Sequence, residues 1–582
     1  MEGPVDVSAP QGVLVGDDEE PEPTPQPPDE PQRGAARRAL AWCGRHPLVV
    51  AGCIGTVVAL ANAVWIWRVR HLGGFDPDES SYLSSALRMQ RSIDLRHPFA
   101  LIATVFQTGH GITVPLLSVP LLILGPRDPR TAMMLQPILM VFIAVAIAAI
   151  TLRITKRPAP AIFASLFVVL LPTMTTAVQS YWYGLGAAAA MAGAMWALLA
   201  SERATNRWIW WYGVGVGLML LSRTMTLGYL PACLAAALIV AWPDRRGLKR
   251  AIAGFALGIA IAAPWYIANR DSIFGYLFSF GYGQAAAEFG ETGFGDRLHV
   301  RMERMVIGIG PGWFVPIALA LLLFVGVQLV RRKALPNLEE RPFLAILAVV
   351  LLGTVALVST ANNGVWFELP LVVLTIVVLV SAAAQIPEPA GIALAIAVVV
   401  AAVYPIPPAY WLRRWHPTDP ASHYEWGFSE YDERFSPRTR SEHAEAAAEW
   451  WALSQHVEQA MRKISPDGQQ KVFLTTGNTL LYNANVVSMA SELDGWNPYI
   501  VIPNTTLPAA QRAKWLGAPD PARLGDRERV LVVGVHDQRL WPLDVKTRAF
   551  LRQAEDAGFV EVARFQMPRG GHVAILRRKA SS

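Results

Sequence analysis

The sequence predicts a polytopic α-helical membrane protein that continues into a soluble α/β domain. Hydrophobic residues make up 53% of the 582 residues and charged residues only 16%, whereas a soluble protein carries about a quarter charged residues. The apolar residues are also clustered, because ten strongly apolar windows of fifteen or more residues contain no Asp, Glu, Lys or Arg. These windows are 46–67, 131–152, 159–201, 208–222, 224–243, 251–269, 311–330, 343–367, 369–387 and 390–412.

The lengths of these windows predict the number of membrane spans. A bilayer core requires about 20 apolar residues per helix, so most windows qualify individually. The window 159–201 is long enough for two spans, divided at residues 179–183. Segment 111–124 is short and contains two prolines, so it is either re-entrant or a full span. We therefore expect 11 to 13 transmembrane helices.

The distribution of charge predicts the orientation of the chain in the cell membrane. Residues 1–45 are expected to form a disordered cytoplasmic tail, because residues 1–32 are rich in Pro, Asp and Glu and four arginines precede the first span. The loop 68–110 then lies outside the cell. The loop 270–305 and the region after 412 also lie outside, provided that 111–124 does not cross fully. The net charge of +6 belongs mainly to short loops between spans, so it does not indicate nucleic-acid binding.

The composition changes after the transmembrane domain, 46–412. In the region 413–582 charge returns, and short buried strands alternate with helical segments, a pattern typical of a three-layer α/β domain. The predicted elements are a helix over 440–463, strands over 471–476 and 529–535, a helix over 545–557 and closing strands over 559–565 and 572–577. No glycine-rich phosphate fingerprint follows the first strand, so a bound nucleotide is not expected.

An acidic motif stands directly after the first predicted span. Asp76, Asp78 and Glu79 place three carboxylates within four residues. The apolar positions that follow have helical spacing and predict an amphipathic helix on the membrane surface. These positions are Tyr82, Leu83, Ala86, Leu87 and Ile93. In isolation such a motif would indicate only a helix cap and a loop, so its meaning depends on the rest of the chain.

Four motifs in chain order together resemble the GT-C superfamily of glycosyltransferases. They are Asp78-Glu79-x-x-Tyr82-Leu83-x-x-Ala86, Thr108-Gly109-His110 before Pro115-Leu116-Leu117, Gly217-Leu218-Met219-Leu220-Leu221-Ser222-Arg223, and Ala263-Pro264-Trp265 with Asn269-Arg270. The similarity covers about residues 46–410 and is closest to the branch of protein O-mannosyltransferases and the aminoarabinose transferase that acts on lipid A. One position departs, because Gly111 and Ile112 replace the prolines that usually follow the histidine.

The resemblance implies a membrane glycosyltransferase. Members of the family use polyprenyl-phosphate sugars and carry their catalytic Asp in the first external loop. A sugar would pass, with inversion, to the hydroxyl of an extracytoplasmic glycan, lipid or protein acceptor. A carboxylate on the acceptor side is the natural general base; Asp78 is the first candidate, followed by Glu79 and Asp76. Repulsion among the three carboxylates is expected to raise the pKa of the base.

Cationic side chains are expected to stabilise the departing phosphate. Arg223 is the first candidate because it interrupts apolar sequence, where an unpaired charge costs at least about 2.5 kcal/mol. The alternative is that Arg223 ends a helix and extends to the lipid headgroups. Arg270, Arg301 and Arg304, in or beside the later external loop, are further candidates for phosphate binding or are surface charges.

Other side chains are candidates for substrate contact, namely His110, Tyr82, Tyr181 and Tyr183. His110 is equally well explained as a structural histidine. For residues 181–183 the preferred interpretation is an interfacial aromatic belt, to which Trp208, Trp210 and Trp211 are also assigned. No cluster of His and Cys has metal-site spacing. A cofactor is not required, although a divalent cation at the carboxylates is compatible with the motif.

Two other functional classes fit parts of the sequence. A transporter or flippase of a lipid-linked glycan would place polar residues and broken helices at the middle of the bilayer, often within internal repeats. The halves of this chain show no duplication, and its polar constellation lies at the predicted external surface. A catalytically degenerate GT-C scaffold is the second alternative, because of the departure at Gly111 and Ile112.

Overall fold

The computed structural model describes most of the membrane domain and the sheet of the C-terminal domain. The described residues are 38–39, 41–69, 75, 77–93, 96–97, 99–281, 293–309, 319, 322–323, 325–328, 338–361, 366–386, 437–468, 471–476, 482–496, 498–501, 528–535, 547–568 and 570–578. The chain divides into two compact units, Met1–His46 and Pro47–Ser582. Residues 38–39 and 41–45 of the first unit are helical, although a disordered tail was predicted for 1–45, and residues 1–37 lie outside the described residues. The second unit contains everything discussed below.

The membrane domain is built from helices joined mainly by short connections. In chain order they are α1 (Pro47–Val69), α2 (Pro77–Arg91), α3 (Ala100–Gln107), α4 (Thr113–Leu124), α5 (Pro129–Met133), α6 (Leu135–Thr155), α7 (Pro158–Leu170), α8 (Pro172–Val178), α9 (Tyr183–Ala200), α10 (Trp208–Ser222), α11 (Leu230–Ala241), α12 (Arg245–Ala268), α13 (Arg270–Gly281), α14 (Phe294–Ile309), α15 (Glu340–Ser359) and α16 (Leu369–Ala383). A 3₁₀ turn, Thr224–Tyr229, connects α10 to α11.

The helices confirm the predicted polytopic class. Among the described residues, six stretches are long and apolar enough to cross a membrane, and four shorter apolar helices accompany them. The window 159–201 divides as expected into α7 and α8, a turn at 179–182, and α9. The spans predicted at 311–330 and 390–412 lie largely or wholly outside the described residues. Every other predicted window coincides with a helix.

Segment 111–124 forms the short helix α4, which has Pro120 in its interior. Twelve residues at about 1.5 Å each extend about 18 Å, well short of the roughly 30 Å hydrocarbon core. One side of α4 is buried at Val114 and Ser118, while Leu117 and Leu124 on the other side are exposed.

Small residues hold α10 tightly between α9 and α12. A Cβ atom added at Gly213 would lie 2.2 Å from the carbonyl oxygen of Gly254, and one added at Gly215 would lie 2.8 Å from Ala194. Such close backbone approach is typical of membrane helix interfaces. It fixes the position of the end of α10, where Arg223 follows.

Helix α2 confirms the amphipathic helix that was predicted after the first span. Its apolar face, at Leu83, Ala86 and Leu87, is fully buried. Protein covers that face, because α2 packs against α4 on one side and against a helix of the C-terminal domain on the other. Ile93, beyond the end of α2, remains exposed. The apolar positions of α2 therefore pack against protein in both domains, so the prediction that they lie on the membrane surface is wrong.

The C-terminal domain is the predicted three-layer α/β domain. Its elements are α17 (Pro437–Ile464), β1 (Lys471–Thr476), α18 (Ala484–Leu493), β2 (Tyr499–Val501), β3 (Glu528–Val535), α19 (Thr547–Asp556), β4 (Phe559–Gln566) and β5 (His572–Arg578). The strand order is β2-β1-β3-β5-β4; β1 pairs in parallel with β2 and β3, and β5 is antiparallel to β3 and β4. Helices α17 and α18 cover one face and α19 covers the other. The sequence-based prediction missed α18 and β2, and the boundary at 413 lies outside the described residues.

Candidate active site

Asp78 lies in the first turn of α2, which begins at Pro77. The side chain remains accessible to water, yet the surrounding protein desolvates it and raises the pKa of its carboxyl group above the ordinary value. The charges of His110 and Arg223 oppose part of that rise. The charges of His110 and Arg223 act on Asp78, and Asp78 and His110 are both exposed; the accessible space beside these three side chains is called the recess below.

His110 is the second member of this group. Its side chain is exposed, and its ring meets the ring of Tyr82 edge to face at 5.8 Å between centroids. Desolvation lowers the pKa of His110, the carboxylate of Asp78 raises it, and the charge of Arg223 lowers it again. The net shift favours a neutral imidazole, which can both donate and accept a hydrogen bond.

Arg223 is the third member and stands immediately after α10, where the backbone becomes extended. It is only 8% exposed, so it does not extend to the lipid headgroups. Its guanidinium carbon lies 3.9 Å from the centroid of the Phe367 ring and 5.9 Å from that of Trp182. Two aromatic faces therefore support the cation.

A buried ion pair also lies close to Phe367. Nη1 of Arg301 lies 3.1 Å from Oε2 of Glu368, and the two residues are 1% and 3% exposed. The guanidinium of Arg301 is 5.7 Å from the centroid of Phe367. The hydroxyl of Tyr229 donates to the carbonyl oxygen of Phe367. The segment at 366–368 thus connects Arg223 to α14.

The remaining predicted phosphate ligands are placed differently. Arg270 has a side chain that is 70% exposed and lies 3.4 Å from the carboxylate of Asp271. The side chain of Arg304 and the whole of Asp76 lie outside the described residues. The structure therefore brings Asp78, His110 and Arg223 together, with Arg301 one ring away.

Glu79, next to Asp78, points in another direction. It is 1% exposed, and its Oε1 accepts a hydrogen bond of 2.8 Å from the backbone amide of Tyr181. In the same turn, Nε2 of Gln179 donates to Oδ1 of Asn62 in α1 at 2.8 Å. The bond to Tyr181 gives Glu79 a structural role, because it holds the turn at 179–182 against α2.

The predicted aromatic substrate contacts form a packed wall. Tyr82 stacks on Tyr183 with 3.8 Å between ring centroids and meets Trp182 at 5.8 Å. Tyr181 is fully buried, and its hydroxyl lies 2.7 Å from Oγ of Ser118. The preferred prediction of an interfacial belt at 181–183 is therefore wrong, because all three residues are buried. The other predicted belt residues, Trp208, Trp210 and Trp211, are exposed.

The Pro-Trp-Asn motif holds the segment that carries His110. Nε1 of Trp265 donates to the carbonyl oxygen of Thr108 at 3.1 Å, and Nδ2 of Asn269 donates to that of Phe106 at 2.9 Å. The hydroxyl of Tyr266, between them, donates to the carbonyl oxygen of Leu220 at 3.1 Å. Three motifs that are distant in sequence therefore meet around the recess.

Phe367 and Glu368 are site residues that sequence reasoning missed. A signal was present, because Glu368 is a lone charge between the apolar windows 343–367 and 369–387, the same feature that identified Arg223. As for metals, the described part of the chain contains no group of three or more His, Cys, Asp or Glu placed to hold an ion.

Comparisons with solved structures identify proteins of the same fold. ArnT from Cupriavidus metallidurans bound to undecaprenyl phosphate superposes with a TM-score of 0.56 at 13% identity, covering 90% of this chain and 98% of that chain. Its apo state gives 0.52 at 12% identity, with 89% and 97% covered. The Archaeoglobus fulgidus oligosaccharyltransferase in complex with Zn and sulfate gives 0.50 at 14% identity, with 91% of this chain and 72% of that chain covered.

No protein-family model matches the chain, and no curated protein matches it by sequence. The structural likeness nevertheless extends over nearly the whole chain and includes the C-terminal domain. Three of the four motifs carry Asp78, His110 and Arg223. The fourth motif holds the segments of His110 and Arg223 through Trp265 and Tyr266. The chain therefore has the fold that these ArnT and oligosaccharyltransferase structures share.

Proposed function

We propose that this protein is a membrane glycosyltransferase that moves a sugar from a polyprenyl-phosphate donor to the hydroxyl of an extracytoplasmic acceptor. The observation that carries the proposal is the proximity of Asp78, His110 and Arg223. The charges of His110 and Arg223 act on Asp78, and ring contacts through Tyr82 and Trp182 connect His110 to Arg223. A base and a cation on the same recess are the two groups that this reaction requires. The structure of ArnT with undecaprenyl phosphate supports a lipid-phosphate donor for a chain of this fold.

The reaction follows from these charges. The acceptor oxygen attacks the anomeric carbon as its proton passes to the carboxylate of Asp78, and the bond between that carbon and the phosphate oxygen breaks with inversion. The electron pair leaves on the phosphate of the polyprenyl chain. A carboxylate whose pKa is raised by desolvation is a stronger base.

The leaving phosphate gains negative charge, and Arg223 is the cation that meets it. A guanidinium held against the ring of Phe367 loses little conformational entropy when phosphate binds, and its planar nitrogens suit a phosphate group. Arg301 is a second candidate, although its ion pair with Glu368 must be shared or exchanged for a phosphate contact. His110 is placed to orient the acceptor or the phosphate by hydrogen bonding.

The orientation in the membrane belongs to the same proposal. The acidic helix α2 follows the first span, and arginines precede that span, so the rule that basic loops stay inside puts the recess and the C-terminal domain outside the cell. The C-terminal domain packs against α2 and would limit acceptor access to the recess. The acceptor is a glycan, lipid or protein of the envelope.

The test is sugar transfer by purified protein in proteoliposomes. A panel of radiolabelled undecaprenyl-phosphate sugars would be supplied with extracted envelope acceptors, and the labelled product and released undecaprenyl phosphate would be measured. Asp78→Asn should lower the transfer rate by about 10²- to 10⁴-fold, and Arg223→Gln should weaken the donor more than the acceptor. Full transfer by Asp78→Asn at normal protein level would remove Asp78 from its role.

A further inference from the structure

Glu492, near the end of α18, is a buried carboxylate that connects the C-terminal domain to α2. It is 2% exposed. Its Oε1 lies 3.2 Å from Nε of Arg88 and its Oε2 lies 3.0 Å from Nη2 of Arg91. Its backbone carbonyl oxygen accepts a hydrogen bond of 2.7 Å from Nη2 of Arg127. One residue of the C-terminal domain thus engages three arginines of the membrane domain.

The charges make this contact specific for the docked arrangement. A buried carboxylate is costly unless it is paired and hydrogen-bonded, and the ion pairs described for Glu492 come from α2. Arg91 also donates through Nη1 to the carbonyl oxygen of Trp496 at 3.4 Å. If the domains separated, Glu492 would lose both cations. The ion pairs therefore favour one register of α18 on α2.

An apolar contact between the two domains lies just before the first residue of α2. Phe75, three residues before Asp78, is buried and meets Trp451 of α17 edge to face at 6.1 Å between ring centroids. Met489, one turn before Glu492, is fully buried within the apolar core of the membrane domain. The C-terminal domain thus contacts α2 before its first residue and at its last turn, and Asp78 lies between the two contacts.

We propose that the C-terminal domain positions Asp78, and that Glu492 is the positioning residue through which it acts. The domain contacts the chain just before α2 and at the last turn of α2. These two contacts fix the position of the Asp78 carboxyl group relative to His110 and Arg223. Glu492 does not touch the substrate. This inference rests on the proposed function only in treating Asp78 as the base.

The kinetic arm of the test separates positioning from simple docking. In the full-length protein, Glu492→Ala should lower kcat by about 10- to 100-fold, because a displacement of about 1 Å at a reacting group costs that much, while KM for the donor stays the same. Arg88→Ala combined with Arg91→Ala should give an equal loss, and the triple variant should be no worse, because the three side chains form one network. Unchanged kcat, additive losses, or a loss confined to KM would overturn the proposal.

The matched control is Glu561→Gln in the same domain. Glu561 pairs with Arg564 at 2.8 Å on the exposed surface of β4, so it tests the loss of an acidic side chain that does not contact α2. It should leave kcat unchanged. A loss equal to that of Glu492→Ala would show a nonspecific effect of the domain and contradict positioning.

Hydrogen–deuterium exchange supplies an arm that does not depend on sugar transfer. Glu492→Ala should increase exchange of the α2 amides while the spans α9 and α10 keep their protection. If Asp78→Asn retained full transfer, the proposed function would fail while this measurement still decided whether Glu492 holds α2. If α2 exchanged as in the unaltered protein, the positioning role would fail while the proposed function stood.

Discussion

The backbone amide of Ile112 donates a hydrogen bond of 2.7 Å to the carbonyl oxygen of Leu221. This bond ties the segment that carries His110 to the end of α10, two residues before Arg223. The backbone of Gly111 also lies against the end of α10, because a Cβ atom added there would be 1.9 Å from the carbonyl oxygen of Ser222. A proline at 112 could not donate, and a larger residue at 111 would collide. The two positions that depart from the family pattern therefore form the joint that sets the spacing of His110 and Arg223.

Gly111→Ala should disrupt that joint. The added methyl group must displace the end of α10, so we expect about a 10- to 100-fold loss of transfer and a lower melting temperature. Gly275→Ala is the control, because a Cβ atom there meets nothing within 4 Å. Ile112→Pro, which removes only the donor and adds ring bulk, should repeat the loss. Normal transfer by both variants would show that the spacing of His110 and Arg223 is unimportant.

The pH dependence of transfer should report the environment of Asp78. The base must be ionised, and desolvation raises its pKa, so kcat/KM should fall as the pH drops through a value above the ordinary carboxyl pKa of about 3.9. The charge of Arg223 lowers the pKa of Asp78. Arg223→Gln should therefore shift the acid limb to higher pH, in addition to slowing transfer.

The control for this shift lies at the other end of the same helix. Arg207 immediately precedes α10 and is exposed, so Arg207→Gln should leave the acid limb in place. Rates would be measured over a pH series at subsaturating donor. An acid limb that moved to lower pH in Arg223→Gln, or that moved equally in Arg207→Gln, would contradict the electrostatic coupling of Arg223 to Asp78.

The sequence predicted the elements whose signals are local. Long uncharged runs identified the spans because a bilayer demands them, and alternation of apolar strands and helices identified the α/β domain. The order of four motifs led to Asp78, His110 and Arg223, which the fold brings to one recess. The described residues thus confirm the architecture, while the catalytic roles of these side chains remain predictions.

What the sequence left open depends on contacts between distant segments. Phe367 supports Arg223 across more than a hundred residues, and no spacing rule connects the two. Burial also separates residues with the same chemistry, because the tyrosines at 181 and 183 pack inside whereas aromatic composition alone suggested a belt. Consecutive residues of a helix point in different directions, so the sequence could not tell which of Asp78 and Glu79 faces the recess.

The adjacent carboxylates should respond differently to substitution. Glu79→Gln keeps an oxygen that can accept from the amide of Tyr181, so transfer should remain within about fivefold of the original, while Asp78→Asn should lose about 10²- to 10⁴-fold. Glu79→Ala leaves that buried amide without its acceptor and should cost about 1–3 kcal/mol of stability. Transfer rate and thermal unfolding in detergent would be compared. A loss in Glu79→Gln as severe as that in Asp78→Asn would reverse the assignment of the base.

The buried pair of Arg301 and Glu368 supports the last prediction, which separates folding from phosphate binding. Removing one partner leaves a buried charge, so Arg301→Met and Glu368→Met should each destabilise the protein by about 3–5 kcal/mol, and the double variant should recover much of this loss. The control is the exposed pair of Arg153 and Glu202, 2.8 Å apart, where Glu202→Gln should cost less than about 1 kcal/mol.

Activity then decides the role of Arg301, because the double variant should have recovered most of the stability that each single variant loses. If Arg301 only holds the segment at 366–368 in place under Arg223, the double variant should regain transfer together with stability. If Arg301 also meets the leaving phosphate, the double variant should fold normally and still show a raised KM for the donor. Unfolding in denaturant and donor titrations on the same preparations would distinguish the two roles, and failure of the double variant to recover stability would contradict the ion pair itself.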